Sequence, residues 1–110
     1  RIELGNLDVW RDFSDVRAVA DAYCRLLDAP TAVGTTVNVC SGHSHSLRDV
    51  LAMADHINGH QLPVQVNPTF VRANEVKTLL GNPARLRALV GTDWASPPLQ
   101  DTLRWMLEAP

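Results

Sequence analysis

Arg72 and Glu75 stand three residues apart in the stretch FVRANEVKTLLGNPARLR, residues 70–87, just past a proline-containing turn. A guanidinium presents five donors in a fixed fork and grips phosphate oxygens bidentately. A carboxylate can only accept, which suits a pair of sugar hydroxyls. Held on one short turn, the two could bind the diphosphate and the ribose of a nucleotide together. The same pair at the same spacing is equally that of an ordinary ion pair on a helix surface. A second candidate cluster is the C-x-x-H-x-H run of Cys40, His43 and His45, with His56 and His60 four apart farther on. Zinc needs three or four converging ligands oriented by outer hydrogen bonds, and this spacing matches no closed zinc motif. His60 follows Gly59, past a helix end, so the later pair need not share a face. These histidines read as solvated loop residues, and no metal is expected.

Other chemistries are excluded by what the chain lacks. A Rossmann dinucleotide loop needs closely spaced glycines so that backbone amides can approach the pyrophosphate. Glycines 5, 34, 42, 59, 81 and 91 are never closer than eight residues. The Tyr-x-x-x-Lys proton-transfer pair of short-chain dehydrogenases is absent too, because Tyr23 has Leu27 at the lysine place. Tyr23 reads as helix-face packing. Ser41-Gly42 lacks the Gly-x-Ser-x-Gly elbow of a nucleophilic serine, and neither cysteine has a local base.

The elements that must position Arg72 and Glu75 are short. Ile2 and Leu4 alternate, Gly5-Asn6 favours a turn, and Val9, Trp10 and Phe13 follow, giving two extended pieces. Ser14-Asp15 caps a helix of about fourteen residues, ended by Pro30, with Val16, Val19, Ala20, Tyr23 and Leu27 as its buried face. Thr36–Cys40 is β-rich and predicts a strand; residues 41–46 predict a polar connection whose Ser46 caps the next helix. That helix runs from about Leu47 to Asn58, burying Leu47, Val50, Leu51, Ala54 and Ile57, with Gly59 as its stop. Val64–Val66, between Pro63 and Pro68, predicts a short edge strand. Asn82-Pro83 opens a helix to about Val90. Pro97-Pro98 opens the last, with Leu99, Leu103, Met106 and Leu107 buried. The expectation is one α+β domain.

At 110 residues, 45% hydrophobic, 20% charged and with net charge −2, the balance is that of an ordinary globular chain. No charge excess points to nucleic acid or an anionic membrane, and no apolar run has membrane-spanning length. Cys24 and Cys40 read as reduced, buried thiols, which points to the cytoplasm. The chain opens at Arg1, without methionine and almost directly in a strand-like stretch, as a piece of a longer protein would.

The order of motifs is Leu4-Gly5-Asn6-Leu7-Asp8, Arg11-Asp12-Phe13-Ser14-Asp15-Val16, Val37-Asn38-Val39-Cys40-Ser41-Gly42, Arg72-x-x-Glu75-Val76 and Leu79-Leu80-Gly81-Asn82-Pro83. It resembles, over nearly the whole chain, the C-terminal part of extended short-chain dehydrogenase/reductases acting on nucleotide sugars, the NAD-dependent epimerase/dehydratase family. The resemblance implies that residues 1–110 form the small α+β substrate-binding domain of such an enzyme, without its Rossmann domain. By that resemblance Arg11 and Arg72 would grip the two phosphates, Glu75 would accept from the ribose hydroxyls, and Leu4 would flank the base. NAD(P) and the catalytic dyad would lie on the N-terminal Rossmann domain, the partner that closes on this one. The chain alone would therefore be inactive, and a homodimer is compatible with the resemblance. The expected substrate is a GDP-sugar, and the expected reaction reduces GDP-4-keto-6-deoxy-mannose to GDP-rhamnose. A GDP-mannose 4,6-dehydratase, another nucleotide-sugar epimerase or dehydratase, and a non-catalytic nucleotide-binding module are the alternatives. Two departures stand out. Ala73 replaces the family's usual proline after the arginine, and Gly91-Thr92-Asp93-Trp94 carries two extra residues between the family's Gly and Trp.

Overall fold

The computed structural model describes residues 2–108. Its core is a helix pair closed by one tryptophan. Helix α1, Val16–Leu27, starts where the Asp15 carboxylate accepts the Arg17 amide, as an N-cap does. Its inner face is Ala18 and Ala22, with Leu26 packed beside them, against Leu86 and Trp94. Leu86 belongs to the short helix α3, Ala84–Val90. Trp94 is 1% exposed, and its indole N–H donates to the Ala18 carbonyl at 2.9 Å. An indole can approach a helix backbone this closely only over small side chains, so the alanine stripe faces inward. The expected stripe lies on the other side: Val16, Tyr23 (60% exposed) and Leu27 (88% exposed) point outward. Tyr23 is therefore not packed, and Cys24 is exposed rather than buried, while Cys40 is buried; both thiols are free.

Helix α2, Leu47–Asn58, has the expected bounds, but its apolar face of Leu47, Val50, Leu51, Ala54 and Ile57 is half-buried rather than buried. Ser46 and Asp49 form a reciprocal capping box, and Gly59 at φ +77° ends it in the left-handed region. Helix α4, Leu99–Glu108, follows the two prolines. Its buried member is Thr102, whereas Met106 and Leu107 are exposed, against expectation. Thr102 turns inward because its hydroxyl donates to the buried Asp15 carboxylate at 2.8 Å. Helix α3 begins at Ala84, one residue later than Pro83 predicts, with the Asn82 side chain accepting the Ala84 amide.

Four three-residue strands complete the α+β arrangement. Strands β1 (Ile2–Leu4) and β4 (Val64–Val66) pair in parallel, Leu4 opposite Val66. Strands β2 (Trp10–Asp12) and β3 (Ser44–Ser46) pair antiparallel, with Arg11 opposite His45. On the other side of β2, Trp10 bridges Thr78; the Leu79 amide donates to the Trp10 carbonyl at 2.9 Å. Strand β2 thus lies between β3 and the 77–79 segment. The expected strand at Thr36–Cys40 makes no ladder among the described residues. Val37 and Val39 still pack on the α1–Trp94 cluster. Their β propensity reflects a side-chain fit, and a ladder also needs a neighbouring backbone, which the described residues do not supply there. The polar run expected as a connection provides β3 instead.

Candidate nucleotide-sugar site

The site is built around β2, whose alternation sends Arg11 and Asp12 to opposite faces. Asp12 is a clamp. Its Oδ1 accepts from the Ser41 amide at 2.9 Å and the Ser41 hydroxyl at 2.6 Å; its Oδ2 accepts from Gly42 at 2.9 Å and Gly81 at 3.3 Å. Burial pushes this carboxyl up, but the Ser41 hydroxyl and the three amides outweigh it and hold the pKa below its ordinary 3.8. One side chain therefore joins three segments: β2, the Ser41-Gly42 turn and the Gly81 turn. Gly81 has no room for anything larger, since a Cβ there would lie 2.5 Å from the Cys40 sulfur. Burial, then the Asp12 charge, push the Cys40 thiol up.

On the opposite face Arg11 is anchored by Nη1, which donates to its own neighbour's carbonyl at Trp10 (2.8 Å) and to Lys77 (3.4 Å). Its Nη2 lies 3.8 Å from Glu75 Oε1, with the two side chains only 28% and 22% exposed. That is an ion pair too long for a hydrogen bond. Nη2 and Nε have no hydrogen-bond acceptor among the described residues, and Glu75 Oε2 is buried without a partner. Half of the guanidinium fork and half of the carboxylate are thus uncommitted.

Arg72 lies exposed in the turn after the 3-10 turn Pro68–Phe70, and no ion pair or hydrogen bond engages it among the described residues. The structure brings Arg11 and Glu75 together; Arg72 shares the Glu75 turn without contacting Arg11. Leu4 ends β1, half-buried, and the turn is tied to it through Gly5, where a Cβ would meet the Phe70 carbonyl oxygen at 2.8 Å. The Asn67 amide also donates to the Leu4 carbonyl at 2.7 Å.

Two hollows lie elsewhere. One, about 730 Å³, runs between α1 and the unpaired 36–40 segment, past Tyr23, Leu27, Val33, Val37 and Val39. The other, about 620 Å³, is bounded by Phe13, His45, Met53, Leu80, Pro97 and Gln100. Neither is lined by Arg11, Arg72 or Glu75. Among the described residues no group of three or more His, Cys, Asp or Glu side chains is placed to hold a metal. No helix there is long and apolar enough to cross a membrane. Sequence reasoning gave Asp12 no role, because its partners come from turns far along the chain. His45, expected as a solvated loop histidine, lies instead in β3 with its Nδ1 buried; the signal available was its place before the Ser46 cap, which fixes neither pairing nor register.

No family model matches the chain. It is 37% identical over 91 residues to the GDP-6-deoxy-D-mannose reductase of Pseudomonas aeruginosa, covering 83% of this chain and 30% of that protein. It is 33% identical over 93 residues to the GDP-6-deoxy-D-talose 4-dehydrogenase of Aggregatibacter actinomycetemcomitans, covering 84% and 31%. A crystal structure from Burkholderia cenocepacia J2315 superposes with a TM-score of 0.92 at 52% identity, over 98% of this chain and 35% of that one. The RMD protein of P. aeruginosa, solved with NADPH, superposes with a TM-score of 0.84 at 32% identity, over 97% of this chain and 34% of that one. The chain matches a C-terminal portion of extended short-chain dehydrogenase/reductases of the NAD-dependent epimerase/dehydratase group. Within them its relatives are GDP-sugar reductases, dehydrogenases and dehydratases, and the chain spans roughly a third of their length.

Proposed function

We propose that residues 1–110 are the substrate-binding domain of a cytoplasmic NAD(P)-dependent enzyme that reduces a GDP-4-keto-6-deoxy-hexose. The observation that carries this is the meeting of Arg11 and Glu75. Two segments far apart in sequence deliver a cation and an acid to one surface, each with hydrogen-bonding capacity left over. In this reading Arg11 and Arg72 hold the diphosphate, Glu75 accepts from the ribose hydroxyls and Leu4 flanks the base. Arg72, exposed and uncommitted, swings onto the phosphates when ligand arrives, and Ala73 leaves its turn freer to move than proline would. Gripping the nucleotide far from the reacting carbon converts binding energy into orientation of the ketone.

The dinucleotide is held outside this chain. The glycines here are too far apart to form its loop, and Gly34 and Gly59, both at φ +77°, face open space rather than a phosphate cradle. Bound to the Rossmann domain, the cofactor supplies the hydride. That domain covers the outer stripe of α1 and pairs with the Thr36–Cys40 segment. This accounts for an apolar helix side left exposed and a β-rich segment left without a ladder among the described residues. A 4,6-dehydratase is the second reading, favoured by 32% identity over 108 residues to GDP-mannose 4,6 dehydratase 2 of Caenorhabditis elegans.

The test is calorimetric titration of GDP into the full-length protein that contains this chain. Arg11→Ala and Arg72→Ala are each expected to weaken binding about ten-fold or more, and Glu75→Gln by about five-fold, as for losing charge-assisted hydrogen bonds. Unchanged affinity in both arginine variants would remove the proposal. Product analysis separates the two readings: a dehydratase consumes GDP-mannose, whereas a reductase consumes only the 4-keto sugar.

A further inference from the structure

We infer that His45 is a further substrate-positioning residue, donating a hydrogen bond to the hexosyl end of the bound nucleotide sugar; this rests on the nucleotide-sugar reading above. The register decides the placement. Arg11 and His45 are directly opposite in the antiparallel β2–β3 pair, so their side chains leave the same face of the ribbon with Cβ atoms about 5 Å apart. Strand β2 is flanked by β3 on one side and by the 77–79 segment on the other, and Glu75 approaches Arg11 just before that second neighbour. Across this ribbon the order of side chains is therefore Glu75, Arg11, His45. A sugar nucleotide with its ribose at Glu75 and its phosphates at Arg11 extends its hexose toward His45.

What lies there is concave. His45 lines the hollow of about 620 Å³, with Phe13 and Leu80 among its apolar walls. Those walls suit the C–H face of a deoxy sugar, and His45 supplies a polar group beside them. The ring's Nδ1 is buried and has no hydrogen-bond partner. A ring nitrogen without an acceptor is better left as a lone pair than as an unpaired N–H, which assigns the proton to Nε2. Nε2 then offers a donor, the group that a sugar hydroxyl or ketone oxygen requires.

The test compares GDP with GDP-mannose in calorimetric titrations of the full-length protein, in wild type, His45→Phe and His45→Asn. Asparagine keeps a short polar group and controls for packing. His45→Phe is expected to weaken GDP-mannose about ten-fold, the usual worth of one such bond, while GDP stays within about two-fold. His45→Asn is expected to recover part of the loss. Equal weakening of both ligands, or no change for GDP-mannose, would overturn the role of His45 while leaving the nucleotide site standing. Absence of GDP binding in wild type would overturn both.

Discussion

Replacing Asp12 should loosen the protein and its ligand grip together. In Asp12→Ala four hydrogen bonds to a carboxylate disappear at once, from Ser41 N, Ser41 Oγ, Gly42 N and Gly81 N. Each such charged bond has a net worth of about 1.5–3 kcal/mol, but the four share one group and do not add. The freed amides are only partly buried, so water recovers some of the loss. A destabilisation of about 3 kcal/mol follows, a large share of what holds a domain of this size. Asp12→Asn should cost about 2 kcal/mol, because its NH2 must face two of the four donors whichever way it turns. Urea denaturation followed by tryptophan fluorescence measures both, Trp94 being buried in the core. Arg11 is the next residue on the same strand, so GDP affinity should also fall, by about ten-fold in Asp12→Ala. The pH dependence has a definite sign. The folded pKa lies below the ordinary 3.8, so Asp12's contribution is complete above that value and is lost as pH falls through the folded pKa. A loss below about 0.5 kcal/mol in Asp12→Ala at pH 7 would refute the clamp.

Asp15 predicts a second acid effect. The Arg17 guanidinium, at 2.7 Å, holds its carboxyl well below the usual carboxylate range against burial, and Thr102 adds a further bond. This stabilisation is also present above pH 3.8 and is lost as the solution becomes more acid. Asp15→Asn should lower stability by about 2 kcal/mol at neutral pH, and the gap to wild type should narrow on titration toward pH 2; a constant gap would contradict the assignment. The thiols make a third prediction. Cys24 is exposed and should react with a disulfide reagent in the native chain, whereas Cys40, buried and with its thiol pushed up, should react only after unfolding. Two fast thiols would mean that the Cys40–Gly42 turn opens in the native state.

The parts of the fold readable from sequence are those fixed by neighbours. The Asp15 and Ser46 caps, the Gly59 stop and the proline-led start of α4 are decided within a turn of chain, and each lies where the residues place it or within one position. The misreadings are long-range choices. Helix α1 carries apolar residues on two sides, and Leu86 and Trp94, arriving from far along the chain, select the alanine side as the inner one. Thr36–Cys40 has the composition of a strand, but composition cannot name a partner. Site residues divide in the same way. Arg72 and Glu75 were legible as chemistry and Arg11 only through the family resemblance, whereas the meeting of Arg11 with Glu75 is geometry. Asp12 was hidden because its partners are backbone amides, which leave no trace in residue type. The two misreadings adjoin in space, since Tyr23 and Leu27 on the outer α1 stripe face Val37 and Val39 across one hollow of about 730 Å³. Local sequence asks for burial on that helix side and for pairing along that segment, and the described residues satisfy neither. Both demands are met together by a sheet edge with an apolar flank. The mismatch between pattern and structure is what the proposed contact with the Rossmann domain would resolve.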